Sequence, residues 1–396
     1  MNSDLLAGMR VLELSQFVAA PLCGLSLSEI GADVIKVEPP QGEPTRTFPP
    51  LWENGESGFF HMLNRGKRSL ALELSAPPAR MLISRLIDLA DVVVESLGVA
   101  GGWLSAERAM RRNHGLIWCS VTGLGAAAGE RAMDPTLQAR MGLMALTGHR
   151  DGPPLRVPAP VVDLMTGAYA TQEILAALIA RERDGQGAFL DCALVDAAAT
   201  ITAPMGVIAL AGETPRRLGS ESEFYVPSAV FATGDGRYVS VVALTDRHWR
   251  SLCAALNREE WRLDPRFESN DSRLRHRELL HGMIHEVLMT GPAEHWASRI
   301  TSAGGFCEIV REIEDAWADP NVVGRGLIGR PRPGDDSPLM PALPFGGAGR
   351  QSGVQTLQPA PQLGQHSREV AREAGMAPAE IDALERSGSI ILAASL

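Results

Sequence analysis

The chain has 396 residues and a formal net charge of −10, with 45% apolar and 21% charged residues. That acidic balance argues against the phosphate backbone of nucleic acid as the main partner. No apolar run reaches the roughly 20 residues that span a bilayer, so no membrane partner is expected either. Cys23, Cys119, Cys192, Cys253 and Cys307 are odd in number, far apart and without motif, which fits reduced thiols better than a disulfide framework. The opening MNSDLLAGMRVLELS carries an acid and lacks a basic start followed by an apolar stretch. No signal peptide is therefore expected, and the expected location is cytoplasmic. The length predicts two domains, and the 5% aromatic content predicts largely aliphatic cores.

In chain order, RVLELS (10–15) reads as a short strand, Pro21 to Gly31 as a helix, and DVIKVE (33–38) as a second strand stopped by Pro39 and Pro40. SLALEL (69–74) alternates weakly. Met81, Leu82, Leu86 and Leu89 stand at helical spacing within 76–89. VVVES (92–96) and LIWCSVTG (116–123) read as buried strands. Strands separated by helices predict parallel βαβ units. A long helix is expected over 163–183 and an apolar one over 193–212. GETPRRLGSES (212–222) has the texture of a linker. VFATGDGRYVSVVAL (230–244) predicts a hairpin turning at Gly234-Asp235-Gly236, followed by helices rich in Arg and His. The tail is rich in Pro and Gly to Pro361, then helical at 367–375 and 378–387. The expected division is a large domain from 1–212 and 325–396, linkers at 213–224 and 321–324, and a small α+β domain over 225–320.

Most chemical motifs are weak. GLGAAAG (123–129) follows a strand, but it has one residue too many before its third glycine and does not sit at the first βα turn. A surface loop is the better reading. No GxxxxGK[ST] and no GxSxG occurs. His281 and His285 share a helix face, but Gly282 stands where a zincin has its Glu, so solvated histidines are the plainer reading and no metal is expected. Cys23 near a helix start reads as a packed thiol, since no His pairs with it. Arg65, Lys67 and Arg68 in NRGKRS either hold a phosphate or form a solvated turn. Asp163 in PAPVVDLMTGAYA begins a helix. An N-cap is the plain reading, and it is compatible with an ionised nucleophile at that helix end.

Several stretches resemble family III CoA-transferases (the CaiB/BaiF family): GMRVLELSQFVAAPLC, GADVIKVEPPQGEPTR, NRGKRSLALELS, ADVVVES, LTGHRDGPPLRVPAPVVDLMTGAYA, ILAALIARERDGQG and PAPQLGQHSREV, in order along nearly the whole chain. The resemblance implies an α/β fold. It consists of a large Rossmann-like domain with a parallel sheet, built from both chain ends, plus a smaller α+β domain, in an interlocked homodimer. It also implies transfer of CoA from an acyl-CoA to a carboxylic acid, with CoA and acyl-CoA as substrates and no permanently bound cofactor. The nucleophile it implies is Asp163, whose unperturbed pKa of about 3.9 leaves it ionised at neutral pH without a base.

The CoA contacts implied are Val18 and Ala19 beside the thiol arm, Leu72 and Glu73 beside the nucleotide, and Ser96, Leu97 and Gly98 in a contacting turn. Arg131 stands where a basic residue approaches the phosphates. Pro39 falls on the adenine-facing position, which is Arg in some members. Leu104 stands where several members have a phosphate-binding Arg, and Arg65 and Arg68 are the expected compensation. A glycine-rich loop found in oxalate-type enzymes has no counterpart before Val230. The related racemases of α-methylacyl-CoA place a His just before the Asp at position 134, and Met133 occupies that slot here, which disfavours racemisation. FVAAPL, GGWLS and ALTDRHW resemble the branch that moves CoA within one unsaturated dicarboxylate (methylfumaryl-CoA isomerase). That makes intramolecular transfer an alternative. A silent CoA-binding protein is the alternative from another class, motivated by Leu104 and Pro39.

Overall fold

The structure is a computed structural model, and it describes residues 4–52, 55–97, 103–128, 130–331, 338–343 and 352–392. Gly98 of the expected CoA turn and Gly129 of the glycine loop lie outside the described residues. Contacts divide the chain into two compact units. The first comprises Met1–Met141, Val157–Ala203 and Trp317–Leu396, and the second comprises Gly142–Arg156 and Pro204–Ala316.

The elements run β1 (Arg10–Leu14), α1 (Ala19–Glu29), β2 (Asp33–Glu38), α2 (Gly58–Asn64), β3 (Arg68–Leu72), α3 (Pro77–Asp88), β4 (Val92–Glu95), α4 (Ala106–Arg112), β5 (Ile117–Thr122) and α5 (Asp134–Arg140). Next come α6 (Leu143–Leu146) in the second unit, then α7 (Val161–Asp184), β6 (Phe189–Ala193) and α8 (Leu194–Leu210), the last passing from the first unit into the second. The second unit holds β7 (Ser228–Ala232), β8 (Tyr238–Val242), α9 (Asp246–Ala255), α10 (Asn270–Arg275), α11 (Arg277–Leu288), α12 (Ala293–Ser302) and β9 (Phe306–Ile309). The chain returns through α13 (Ile313–Trp317), α14 (Pro320–Gly324), β10 (Ile328–Arg330), β11 (Met340–Pro341), β12 (Gln355–Thr356), α15 (Ser367–Glu373), α16 (Pro378–Arg386) and β13 (Ile390–Ile391).

Among the described residues, the large sheet has the order β13-β3-β2-β1-β4-β5-β6. All its pairings are parallel except β13 against β3. The central strands are short and almost wholly buried because both faces are covered. Along β1, Leu12 and Leu14 pack on one face with Leu82, Leu86, Val370 and Ile381 of α3, α15 and α16. Val11 points the other way, into a core with Cys23 and Leu27 of α1 and Ala170 and Ile174 of α7. Two strands of this sheet escaped the sequence reading. β6 has an exposed Phe189 and Asp191, so its pattern is not a buried run, and it is defined by its pairing with β5 from Trp118↔Phe189 to Thr122↔Ala193. β13 is two residues long and exists only through Leu72 and Ala71.

In the second unit β7, β8 and β9 form an antiparallel sheet, with the expected hairpin between β7 and β8. Its core departs from the aliphatic expectation: Trp249, Trp261, Phe267 and Trp296 are buried together, with the Trp249 and Trp261 rings stacked at 6.5 Å. A low average aromatic content hid this concentration. Residues 142–156, expected in the large domain, group with the second unit. The Arg217 guanidinium ties them there, donating to the carbonyls of Ala145 and Gly152.

Candidate active site

In a parallel sheet the strand order decides where a ligand can enter. Chain connections leave β1 and β4 in opposite directions, which opens a crevice at the carboxyl ends of these strands. The segment after β1 is Ser15–Val18, leading into α1, and the segment after β4 starts at Ser96 and Leu97. Pro39 is exposed just beyond the carboxyl end of β2, and Leu72 and Glu73 stand at that of β3. Arg131 is exposed in the loop between β5 and α5. The carboxyl ends of β1, β2, β3 and β4 thus carry Val18, Ala19, Pro39, Leu72, Glu73, Ser96 and Leu97 along one edge of the sheet, whereas Arg68 begins β3 at the opposite end and Arg65 follows α2.

The edge positions differ in what they present. The Leu72 side chain is fully buried, so only its main chain faces that edge. Glu73 accepts from the Ser75 amide at 3.0 Å. The Leu97 amide donates to Glu95 Oε2 at 3.1 Å, and the Ser96 amide to the Leu14 carbonyl at 3.1 Å. Val18 and Ala19 are buried, so the turn into α1 meets other groups through its backbone.

Asp163 lies in the first turn of α7, not at its N-cap, which is Pro160. Proline offers no side-chain acceptor, and the cap comes from elsewhere in the chain. Asp134 Oδ2, at the start of α5, accepts from the amides of Val162 at 2.8 Å and Asp163 at 3.3 Å. Its other oxygen accepts from Gln138 Nε2 at 2.7 Å, and Gln138 Oε1 accepts from the Val157 amide at 3.0 Å. The donors that would favour a negative charge on Asp163 are therefore spent on a second carboxylate. Burial, and then the neighbouring Asp134, push the Asp163 carboxyl up from 3.8 to about 7. This corrects the expectation of a fully ionised group at neutral pH. It also makes the carboxylate a stronger base and nucleophile whenever it is ionised.

Helix α7 meets α1 closely at this end. A methyl group on Gly167, one turn after Asp163, would lie 2.6 Å from the Ala19 carbonyl oxygen and 3.0 Å from Leu22 Cβ. Glycine is required for that approach. Leu164 packs on the cluster of Val18, Leu22, Leu25 and Leu63. The carboxylate and the Val18–Ala19 turn, 144 residues apart in sequence, thereby share one end of the α1–α7 pair.

The basic cluster is used differently from expected. The Arg65 guanidinium is buried against Glu29 Oε1 at 2.9 Å and the Met62 carbonyl at 2.9 Å. Lys67 is buried on Glu13 at 2.7 Å. Arg68 bridges Asp33 at 2.6 Å and Glu373 at 2.8 Å. Each charge is engaged with a carboxylate of the chain, so the structure does not gather them into a phosphate cradle. Leu104 is buried in the core beside α3 and α4, where an Arg would be costly.

Among the described residues no group of His, Cys, Asp and Glu has the arrangement of a metal site. His281 packs edge-on against Phe231 and approaches Glu221 at 3.6 Å. Cys23 is buried within α1, where burial pushes its thiol up to about 12, as befits a packed thiol. Met133, exposed before α5, offers no proton-transfer group. Asp134, Gln138 and Gly167 were not singled out from the sequence as site residues. The sequence reading placed no element between 123 and 163, and no local pattern links the start of α5 to a helix that begins 27 residues later.

A family model described as CoA-transferase family III matches residues 6–367. The chain is 32% identical to the succinate–glutarate CoA-transferase of Agrobacterium fabrum, over 97% of each chain. It is 32% identical to the succinyl-CoA:mesaconate CoA-transferase of Haloarcula marismortui, over 93% of this chain and 96% of that one. A crystal structure of a CaiB/BaiF family protein from Brucella suis superposes with a TM-score of 0.81 at 30% identity, covering 94% of this chain and 100% of the other.

Proposed function

The chain belongs to CoA-transferase family III and is a CoA-transferase; on that basis we propose that it moves CoA between dicarboxylic acids through covalent intermediates on Asp163. The observation that carries the reading is a half-buried carboxylate of raised basicity beside the Val18–Ala19 turn, at the carboxyl edge of a parallel sheet. The dicarboxylate class is suggested by the succinate, glutarate and mesaconate in the relatives' names.

The Asp163 carboxylate attacks the thioester carbonyl, the C–S bond breaks, and a mixed anhydride and CoA thiolate result. The thiolate attacks the aspartyl carbonyl and expels the donor acid as its carboxylate, leaving an aspartyl-CoA thioester. The acceptor carboxylate attacks that carbonyl and displaces the thiolate, which then attacks the acceptor carbonyl of the new anhydride. New acyl-CoA leaves and Asp163 is regenerated. The transfer starts and ends with a thioester and a carboxylate, so it is close to balanced overall, and once Asp163 is ionised no proton has to move. Val18, Ala19, Pro39, Leu72, Glu73, Ser96, Leu97 and Arg131 are the CoA contacts of this reading, and Arg131 is the one exposed cation among them.

Intact-protein mass spectrometry after mixing with succinyl-CoA tests it. An added succinyl or CoA mass on the enzyme, absent in Asp163→Ala, is expected. No adduct together with retained turnover in that variant would refute the covalent role. Incubation with one acyl-CoA and no free acid separates the intramolecular alternative, since only an isomerase then turns over.

A homodimer is part of the same proposal. Helix α8 is apolar nearly throughout, yet Val207 and Leu210 are 69% and 92% exposed. A helix of that kind needs a cover, and a second copy supplies one. Light scattering should give twice the chain mass, with Leu210→Arg lowering it; a monomeric parent would refute this part. The cytoplasm is the proposed location, in keeping with free thiols at all five cysteines.

A further inference from the structure

The turn between β1 and α1 has an unusual backbone. Phe17 has φ 69°, the left-handed region that a side chain as bulky as Phe rarely adopts. Its amide donates to Glu43 Oε2 at 3.0 Å. Glu43 Oε1 is 3.2 Å from Lys36 Nζ, and Lys36 Nζ also contacts Glu13 Oε1 at 3.0 Å and the Ser15 carbonyl at 3.2 Å. Lys67 Nζ completes the group, 2.7 Å from Glu13 Oε2 and 2.8 Å from the Pro21 carbonyl. All four side chains are buried, and their charges sum to zero.

Two backbone atoms of the turn and one in the first turn of α1, on either side of Val18 and Ala19, are therefore held by one ionic cluster under the sheet's carboxyl edge. Helix α1 sits directly on it: a Cβ on Gly24 would fall 1.9 Å from Glu13 Oε2. Replacing a buried ionic group by apolar residues of similar size is often neutral or stabilising. Stability alone thus accounts poorly for so many buried charges, whereas their contacts with this turn give them a geometric task.

We infer that Glu43 is a positioning residue: by holding the Phe17 amide it keeps the Ser15–Ala19 turn in the shape that receives the CoA thiol arm. The inference rests on the proposed place of Val18 and Ala19 beside that arm. Glu43 acts through the main chain, because its oxygens are taken up by the Phe17 amide, Lys36 and, at 3.4 Å, Asn64 Nδ2.

The test is a double-mutant cycle on the full-length protein, with CoA affinity by calorimetry, kcat and KM for succinyl-CoA, and Tm. Glu43→Gln is expected to weaken CoA binding and raise KM about tenfold or more, with a smaller change in kcat. In a Phe17→Asn background, where asparagine enters the left-handed region several-fold more readily, the same substitution is expected to cost under about threefold. Glu43→Asp keeps the charge sum but withdraws the oxygen by one methylene, and the same loss is expected there should Glu43→Gln fold poorly. An equal cost in both backgrounds, or a lowered Tm with CoA affinity intact, would overturn the inference. Failure of the nucleophile reading looks different: Asp163→Asn would then turn over, whatever the cycle reports.

Discussion

Asp163→Asn separates the electrostatics of the site from its chemistry. In the folded protein the carboxyl holds its proton up to about pH 7, against 3.8 for the free group. The folded form therefore binds the proton more tightly than the unfolded chain does. Between these two values, raising the pH costs the parent protein stability, because ionisation is easier once it unfolds. Each tenfold change in proton affinity is worth about 1.4 kcal/mol, so the full penalty above pH 7 is about 4 kcal/mol. Asparagine has nearly the same shape and never ionises. The variant should be the more stable protein at pH 8, by about 4 kcal/mol, with the advantage shrinking by roughly 2 to 3 kcal/mol at pH 5. Urea unfolding of both proteins at several pH values measures this directly. The same variant should lose transfer activity, since an amide is not a nucleophile here. In the parent enzyme kcat/KM should fall tenfold per unit below about pH 7, as the carboxylate takes up its proton. Parallel stability curves for the two proteins, or a less stable variant at pH 8, would refute the burial and charge repulsion assigned to this carboxyl.

Asp134→Asn keeps an acceptor for the Val162 amide and removes the second negative charge. The acid limb of the pH–rate profile should move to lower pH, with a small loss of stability of about 1 kcal/mol from the weaker cap; stopped-flow rates across pH 5–9 measure the shift. Gly167→Val sets bulk against the Ala19 carbonyl and should cost about 1–3 kcal/mol by thermal unfolding, together with turnover, because α7 and α1 must separate. Arg131→Ala should raise KM for acyl-CoA more than it lowers kcat, and steady-state kinetics with an unchanged KM would remove Arg131 from the phosphate contacts.

The parts of the sheet that the sequence announced are those whose pattern is local. Val34, Ile35 and Val37 of DVIKVE and the three valines of VVVES are buried on the two faces of the sheet, and these segments form β2 and β4. The edge strand β6 lacked that signature, since half its side chains meet solvent. Among site residues, Asp163 was legible because it opens a long helix after a Pro-rich segment. Asp134 was not, because its partners are amides that arrive only when α5 packs on α7. The Arg65–Arg68 cluster misled for a related reason. Spacing displays three positive charges within four residues but cannot display Glu29, Glu13 and Asp33, which neutralise them from other elements.

The amino-acid order alone determined the alternation of strand and helix, the mixed α/β class and the carboxylate at the head of α7, because periodicity, caps and breakers act over a few residues. Folding in three dimensions decided the proton affinity of that carboxylate, the pairing of the basic cluster and the ionic group beneath the Phe17 turn. Those properties depend on burial and on charges brought together across tens to hundreds of residues, and Coulomb and desolvation energies follow distance in space, not separation along the chain.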